Sequence, residues 1–316
     1  MMKYLEDLKN ELIKQNVNQH DIDDIIRDHD EMISEALREG LSEEEISQRL
    51  GDPRTLAKEL SSDETVDETE DSDDDYKLWD SFTPISGSNK VTISMVFQDI
   101  EVRPSKDSEY HVYHEGPGDI KDYHLSYEKG ELKLESPKLK GLLWNRNKKD
   151  DISFIIEIPK NIEISEFKER TVSGDIRLRG INAHLFSINT TSGDLDIKNG
   201  ELNKFILNTV SGDARVSKVN MVNAETSQVS GDITMEDVNI TELIHVGSVS
   251  GDISLVNTKV EHAEFSMVNG DVDGKEFYPN MITFKSVSGD LNIKNQDRSD
   301  IKLQKTSTIS GKINIT

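Results

Sequence analysis

Seven aspartates, Asp175, Asp194, Asp213, Asp232, Asp252, Asp271 and Asp290, each follow a glycine. With Gly311 those glycines, Gly174, Gly193, Gly212, Gly231, Gly251, Gly270 and Gly289, are spaced 19, 19, 19, 20, 19, 19 and 22 residues apart. Carboxylates at a constant period stack into a ladder if the chain coils on itself. Neighbours ~4.8 Å apart repel by about 0.9 kcal/mol in water, and more in a lower dielectric. Two chemistries relieve that repulsion. One is a row of cations, such as calcium, held between successive carboxylates. The other is turn chemistry, in which each Asp is solvated and accepts N–H or hydroxyl hydrogen bonds. The copies lack the extra oxygen ligands at fixed offsets that calcium-binding repeats carry. The turn reading is therefore preferred, and no metal site is assigned. The last copy has Lys312 in place of Asp. A lysine there neutralises Asp290 and blunts an exposed strand edge.

Other residues invite chemistry less strongly. Lys138, Lys140, Leu142, Leu143, Trp144, Arg146, Lys148 and Lys149 form a basic stretch around an aromatic. Such a loop suits an anionic membrane surface; the competing reading is a hairpin loop whose Trp144 packs back onto its own domain. His111 and His114 are three apart on a strand-like run, so their side chains point to opposite faces and do not share a metal. Asp21, Asp24 and Asp28 share a helix face and read as solvated acids. Nothing forms a unique carboxylate pair beside a base, as a polysaccharide-cleaving solenoid requires. The expectation is no catalytic residue and no cofactor. Cysteine is absent, which excludes disulfides and thiolate metal sites.

The repeat itself dictates what positions these residues. After each motif, positions of equal parity are apolar: Ile176/Leu178, Leu195/Ile197, Ala214/Val216, Ile233/Met235, Ile253/Leu255, Leu291/Ile293 and Ile313/Ile315, with a weaker Val272/Gly274. The residue between is mostly polar, including Arg177, Asp196 and Arg215, which would stack with alternating charge. That is strand alternation with one buried face. A second apolar pair recurs at Phe186/Ile188, Phe205/Leu207 and Ile282/Phe284. A constant period of this size signals stacked units. The fold expected is mainly β: a single-chain parallel β-solenoid of about eight coils, roughly 38 Å long at ~4.8 Å per coil. The glycine column implies a turn with positive φ.

Upstream, helical spacing of Leu5, Leu8, Leu12 and Ile13 starts a small all-α domain over residues 1–60. Further helices are punctuated by Asn18, Gly40, the Ser42/Glu45 capping box, Gly51 and Asp52-Pro53. Residues 61–79 form an acidic linker. Its first fifteen positions hold nine acids and no base, too polar to offset chain entropy. Residues 80–170 carry strand-like runs at 91–97, 110–113, 124–127, 131–134 and 152–158, and read as a β cap for the solenoid at 171–316.

The run Gly40-Leu41-Ser42-Glu43-Glu44-Glu45-Ile46 with Arg49-Leu50-Gly51-Asp52-Pro53 resembles the HAAS domain of bacterial signalling systems. That resemblance implies a protein-interaction module. The "VSGDI"-type copies after Ile158-Pro159-Lys160 resemble a bacterial β-strand-repeat family of proposed adhesins. Together the two halves look like the YvlB and LiaX type of Gram-positive protein. The likeness implies a part in cell-envelope stress and the sensing of membrane-active antimicrobial peptides, and it brings no catalytic residues.

The formal net charge is −24, of which residues 1–80 contribute −17, from 9 bases against 26 acids. That acidity disfavours nucleic acid and favours basic partners. No apolar signal core or membrane span stands out, so the expected location is cytoplasmic, or peripheral to membrane or cell surface. The function expected is a non-enzymatic envelope-stress scaffold. Its helical domain binds a regulatory protein, and the chain meets cationic peptides or anionic membrane. The alternative is an adhesin or glycan-binding rod, and after that a polysaccharide-active enzyme.

Overall fold

The computed structural model describes residues 2–14, 22, 26, 53, 54, 76–137, 152–297 and 301–316. The chain divides into two compact units, Met1–Asp73 and Asp74–Thr316. In the first, α1 (Met2–Lys14) buries Tyr4, Leu8 and Leu12 at four-residue spacing, while Ile13 is half exposed. The buried stripe is thus Tyr4/Leu8/Leu12. Leu5 and Ile13, which the spacing also admitted, lie at its margin and outside it. Of the other helices expected for residues 1–60 only Ile22, Ile26, Pro53 and Arg54 are described, all helical. Of the stretch 61–79 read as linker the described end, 77–79, is not linker but the start of a strand paired with residues 113 and 114. Residues 61–75 and the remainder of those helices lie outside the described residues.

The second unit is mostly strand. It begins with β1 (Lys77–Phe82), β2 (Ser88–Ser94), β3 (Ile100–Pro104), β4 (Tyr110–Glu115), β5 (His124–Glu128), β6 (Glu131–Glu135) and β7 (Ser153–Ile158). The coils continue as β8 (Glu163–Thr171), β9 (Ile176–Thr190), β10 (Leu195–Thr209), β11 (Ala214–Gln228), β12 (Ile233–Glu236) and β13 (Asn239–Ser248). They end with β14 (Ile253–Asn269), β15 (Val272–Ser288), β16 (Leu291–Lys294), β17 (Lys302–Ser310) and β18 (Ile313–Ile315). Every coil-to-coil pairing from β8 onward is parallel, and each residue sits over its repeat equivalent, as in Ile176, Leu195 and Ala214. The chain is a β-solenoid.

Buried positions in β9 are 176, 178, 181, 183, 186, 188 and 190. Their parity breaks twice, so each full coil has three short faces rather than the two runs visible in sequence. The first break is a column of left-handed residues: Gly180, Asn199, Lys218, Asp237, Asn257 and Glu276. Inward columns are continuous. Phe167, Phe186 and Phe205 stack with ring centroids 4.8 and 5.9 Å apart. Each buried Ile, Leu or Val contributes about 1.5–3 kcal/mol, but only when the next coil covers it.

The stretch read as a cap holds an additional coil. β2 pairs in parallel with β8, and β3 pairs in parallel with the start of β9. The turn between them is Val96-Phe97-Gln98-Asp99-Ile100, directly over Val172-Ser173-Gly174-Asp175-Ile176: Ser173 N donates to Val96 O at 2.7 Å, and Asp175 N to Asp99 Oδ1 at 2.8 Å. Between this coil and the next, the chain detours through β4 to β7. There β4 pairs antiparallel with β1 and β7, and β5 with β6.

Candidate interaction surface

Each coil closes at the motif turn. Thr171 and Ile176 point inward, and Val172 and Asp175 outward. The inward hydroxyl fastens the turn by donating to the carbonyl two residues on. Thr171 does so to Ser173 at 3.2 Å, Thr190 to Ser192 at 2.9 Å and Thr209 to Ser211 at 3.1 Å. Gln228 and Ser248 take the same role. This column escaped the sequence reading, although a polar residue two before every serine was visible. Seven motif glycines have positive φ, from +105° at Gly270 to +153° at Gly289, and Gly311 does not. A second constraint was not legible: a Cβ at Gly193 would overlap the carbonyl oxygen of Gly174 in the coil before.

The aspartates are the staples between coils. Asp175 Oδ1 accepts the backbone N–H of Asp194 at 3.0 Å, and Asp194 Oδ1 that of Asp213 at 2.8 Å. The series runs on through Asp232, Asp252, Asp271 and Asp290 to the N–H of Lys312 at 2.7 Å. Asp99 heads it. Burial raises the pKa of Asp194, and the charges of Asp175 and Asp213 raise it further, against the lowering effect of the Asp213 N–H. Among the described residues, no group of three or more His, Asp or Glu is placed to hold a metal. In the last copy the bond is made to Lys312, which has no carboxylate of its own. Arg177, Asp196 and Arg215 stand in one column, as the repeat implied, and Asp196 also pairs with Arg179.

Beside the carboxylates runs an apolar column. Val172, Val210, Val229, Val249, Val268 and Val287 are 40–48% exposed, and Ile309 is 83% exposed. Thr191 occupies the same position in its coil.

Two further features lie in the lead-in strands. Ser81 Oγ is 2.7 Å from His111 Nδ1, and His111 Nε2 is 3.0 and 3.1 Å from the Asp107 carboxylate. This is a Ser–His–Asp chain of hydrogen bonds that residues scattered over three elements could not announce in sequence. The same carboxylate accepts the Glu109 N–H at 2.8 Å and the Ser105 hydroxyl at 3.0 Å. Those bonds, the backbone one foremost, hold its pKa down. Asp107 thereby organises a turn, and the Ser81 N–H is itself engaged by Asp80. His114 shares none of these partners. Separately, a cavity of about 530 Å³ is lined by Met95, Val96, His124, Glu135, Arg170 and Val172, among others. The basic stretch Lys138, Lys140, Leu142, Leu143, Trp144, Arg146, Lys148 and Lys149 lies outside the described residues.

With the coil geometry in hand, comparison with known proteins is decisive for the family. The profile of Toastrack DUF4097 matches residues 88–316. The chain belongs to the toastrack DUF4097 family. The HAAS profile matches residues 3–59. Among solved structures, a proposed lipid-binding protein of Parabacteroides distasonis is similar with a TM-score of 0.54 and 17% identity, over 77% of this chain and 97% of that one. A proposed adhesin of Bacteroides fragilis gives a TM-score of 0.45 and 18% identity, over 76% of this chain and 97% of that one. At these identities the likeness concerns the fold. No curated protein matches. In toastrack terms, the repeated Gly-Asp is the rung-to-rung fastening of the rack.

Proposed function

We propose that this toastrack protein is a non-enzymatic scaffold in cell-envelope-stress signalling. Its HAAS unit binds a regulatory protein, and its solenoid presents an interaction surface to cationic antimicrobial peptides or anionic membrane. The observation that carries the reading is the fate of the motif carboxylates. The structure engages each of them in holding the next coil, so the most regular polar feature of the chain is architecture. What the rod leaves to solvent is columns of like residues, which suit binding along a length. No helix among the described residues is long and apolar enough to cross a membrane, so membrane contact in this reading is peripheral.

The test is capture with the full chain and with chains bearing surface substitutions in residues 1–60. The expected result is retention of one regulatory protein that those substitutions abolish. Retention of no protein, cationic peptide or anionic liposome by the full chain would sink the proposal. The Ser81–His111–Asp107 chain gives a second check. Ser81 should stay unlabelled by a fluorophosphonate probe, and His111-dependent labelling would move the protein among the hydrolases. If surface protease treatment of intact cells degrades the protein and the cells lose adhesion, the adhesin reading replaces this one.

A further inference from the structure

The motif turn sets two different columns on one corner of the rod. Val172 and Asp175 belong to a single four-residue turn, and the parallel register repeats that turn coil after coil. The apolar column runs from Val172 to Ile309 through seven steps of about 4.8 Å, roughly 34 Å in all. Seven large apolar side chains exposed in one line, interrupted only at Thr191, form a strip that is unbroken from Val210 to Ile309, not scattered surface residues. The strip does not face another part of the solenoid, because the inward positions of each coil are already filled.

The charge beside the strip is of one sign where it matters. Arg177 and Arg215 follow the upper carboxylates, and the positive charge of Arg215 acts on Asp194. Farther along, the corresponding positions are Thr234, Ser254, Asp273 and Asn292. Asp232, Asp252 and Asp271 therefore present a row of acids without a basic neighbour in that column, while Asp290 has Lys312 beside it. Their Oδ1 atoms are occupied by backbone N–H groups. An anionic lipid surface is repelled by this row. A second copy would bring a second acidic row to the same seam.

We propose that this corner is a docking site for a basic amphipathic helix carried by a protein partner. A helix rises about 5.4 Å per turn, close to the ~4.8 Å coil spacing. Laid along the rod, it sets about one apolar side chain per coil on the valine strip and one Lys or Arg per coil against the acids. A helix of about 20 residues spans the strip. An extended strand, with same-face residues about 6.7 Å apart, falls out of step at once. The inference rests on the rod as a presenting surface and is independent of what residues 1–60 bind.

The experiment titrates the full chain with a labelled helix-forming peptide of leucine and lysine, about 20 residues long. A leucine–glutamate counterpart is the control. Two triple variants are built so that the fold is kept. V229T/V249T/V268T uses the residue that already stands at this position in Thr191. D232N/D252N/D271N keeps the side-chain oxygen that accepts the next coil's N–H. The lysine peptide should bind wild type, and each triple should weaken it by roughly tenfold. Raising salt to ~0.5 M should weaken wild type far more than the Asn triple. Absence of binding to wild type overturns the proposal, as does wild-type affinity in the Thr triple. Sedimentation showing a dimer that only the Thr triple breaks would assign the strip to a second copy instead. Thermal melts confirm that each variant is folded. Capture of a regulator through residues 1–60 is measured separately, so the two readings fail independently.

Discussion

Gly231 and Glu169 show how differently a single position can weigh on this rod. Gly231 has φ of +112°, and an added Cβ would meet the Gly212 carbonyl and the Gln228 amide. Gly231→Val meets both a strained backbone and a neighbouring coil that cannot retreat. It should cost about 3 kcal/mol or more, read as a lowered urea midpoint. Glu169 lies in an inward column between Ile93 and Ile188, fully buried, and neither carboxyl oxygen has a hydrogen-bond partner. Burial alone pushes its pKa up to about 8 from an ordinary 4.5. A raised acid favours folding fully below the unfolded value and loses that contribution as pH climbs through the folded one. Stability should therefore fall between about pH 4.5 and 8 on this group's account. Glu169→Leu should raise stability by roughly 3 kcal/mol at pH 7 and by little at pH 4.5. Melts at both pH values check this, and an equal gain at both would mean that the carboxyl is not the cause.

At the scale of one coil, the motif is a set of dependencies on the neighbouring coils. Gln98 replaces glycine in the first coil, whose other edge is paired in parallel by β6 and β7. Its Oε1 accepts the N–H groups of Val96 and Phe97, at 3.2 and 3.1 Å. Lys312 replaces aspartate in the last copy, where its N–H still bonds to Asp290. Asp232→Ala should therefore cost about 1–2 kcal/mol, because it orphans the N–H of Asp252, whereas Asp232→Asn should be near neutral. Chemical denaturation of the two variants decides this, and equal losses would show that the charge, not the acceptor, matters. The same logic explains what sequence could and could not disclose. Eight near-identical copies made the solenoid, its inward pairs and its turn glycines legible, because stacking imposes one residue type on each column. The first coil was hidden because Gln98 stands where the later copies have glycine and because the residues from β4 to β7 separate it from the next copy. The apolar strip was hidden in plain view. Valine before Ser-Gly-Asp looks like a core residue until the turn directs it outward.

Across the whole solenoid, contacts are almost entirely between adjacent coils, so a lesion should be felt according to where it sits. Gly231 lies mid-rod and is flanked by coils on both sides, so Gly231→Val withdraws support from both halves. Lys312→Asp adds a carboxylate next to Asp290 at the edge and should loosen only the final coils, by less than about 1 kcal/mol. Amide hydrogen exchange should separate the two: broad deprotection around residues 195–269 in the first, and faster exchange confined to β16 to β18 in the second. The unit Asp74–Thr316 is compact in its own right. A chain beginning at Tyr76 should accordingly keep the melting temperature of the full chain's solenoid transition. A clear drop would show that residues 1–73 support the rod directly. A partner engaged by the HAAS unit would then bear on the rod through that same coupling, and the two halves would no longer act as independent binding surfaces.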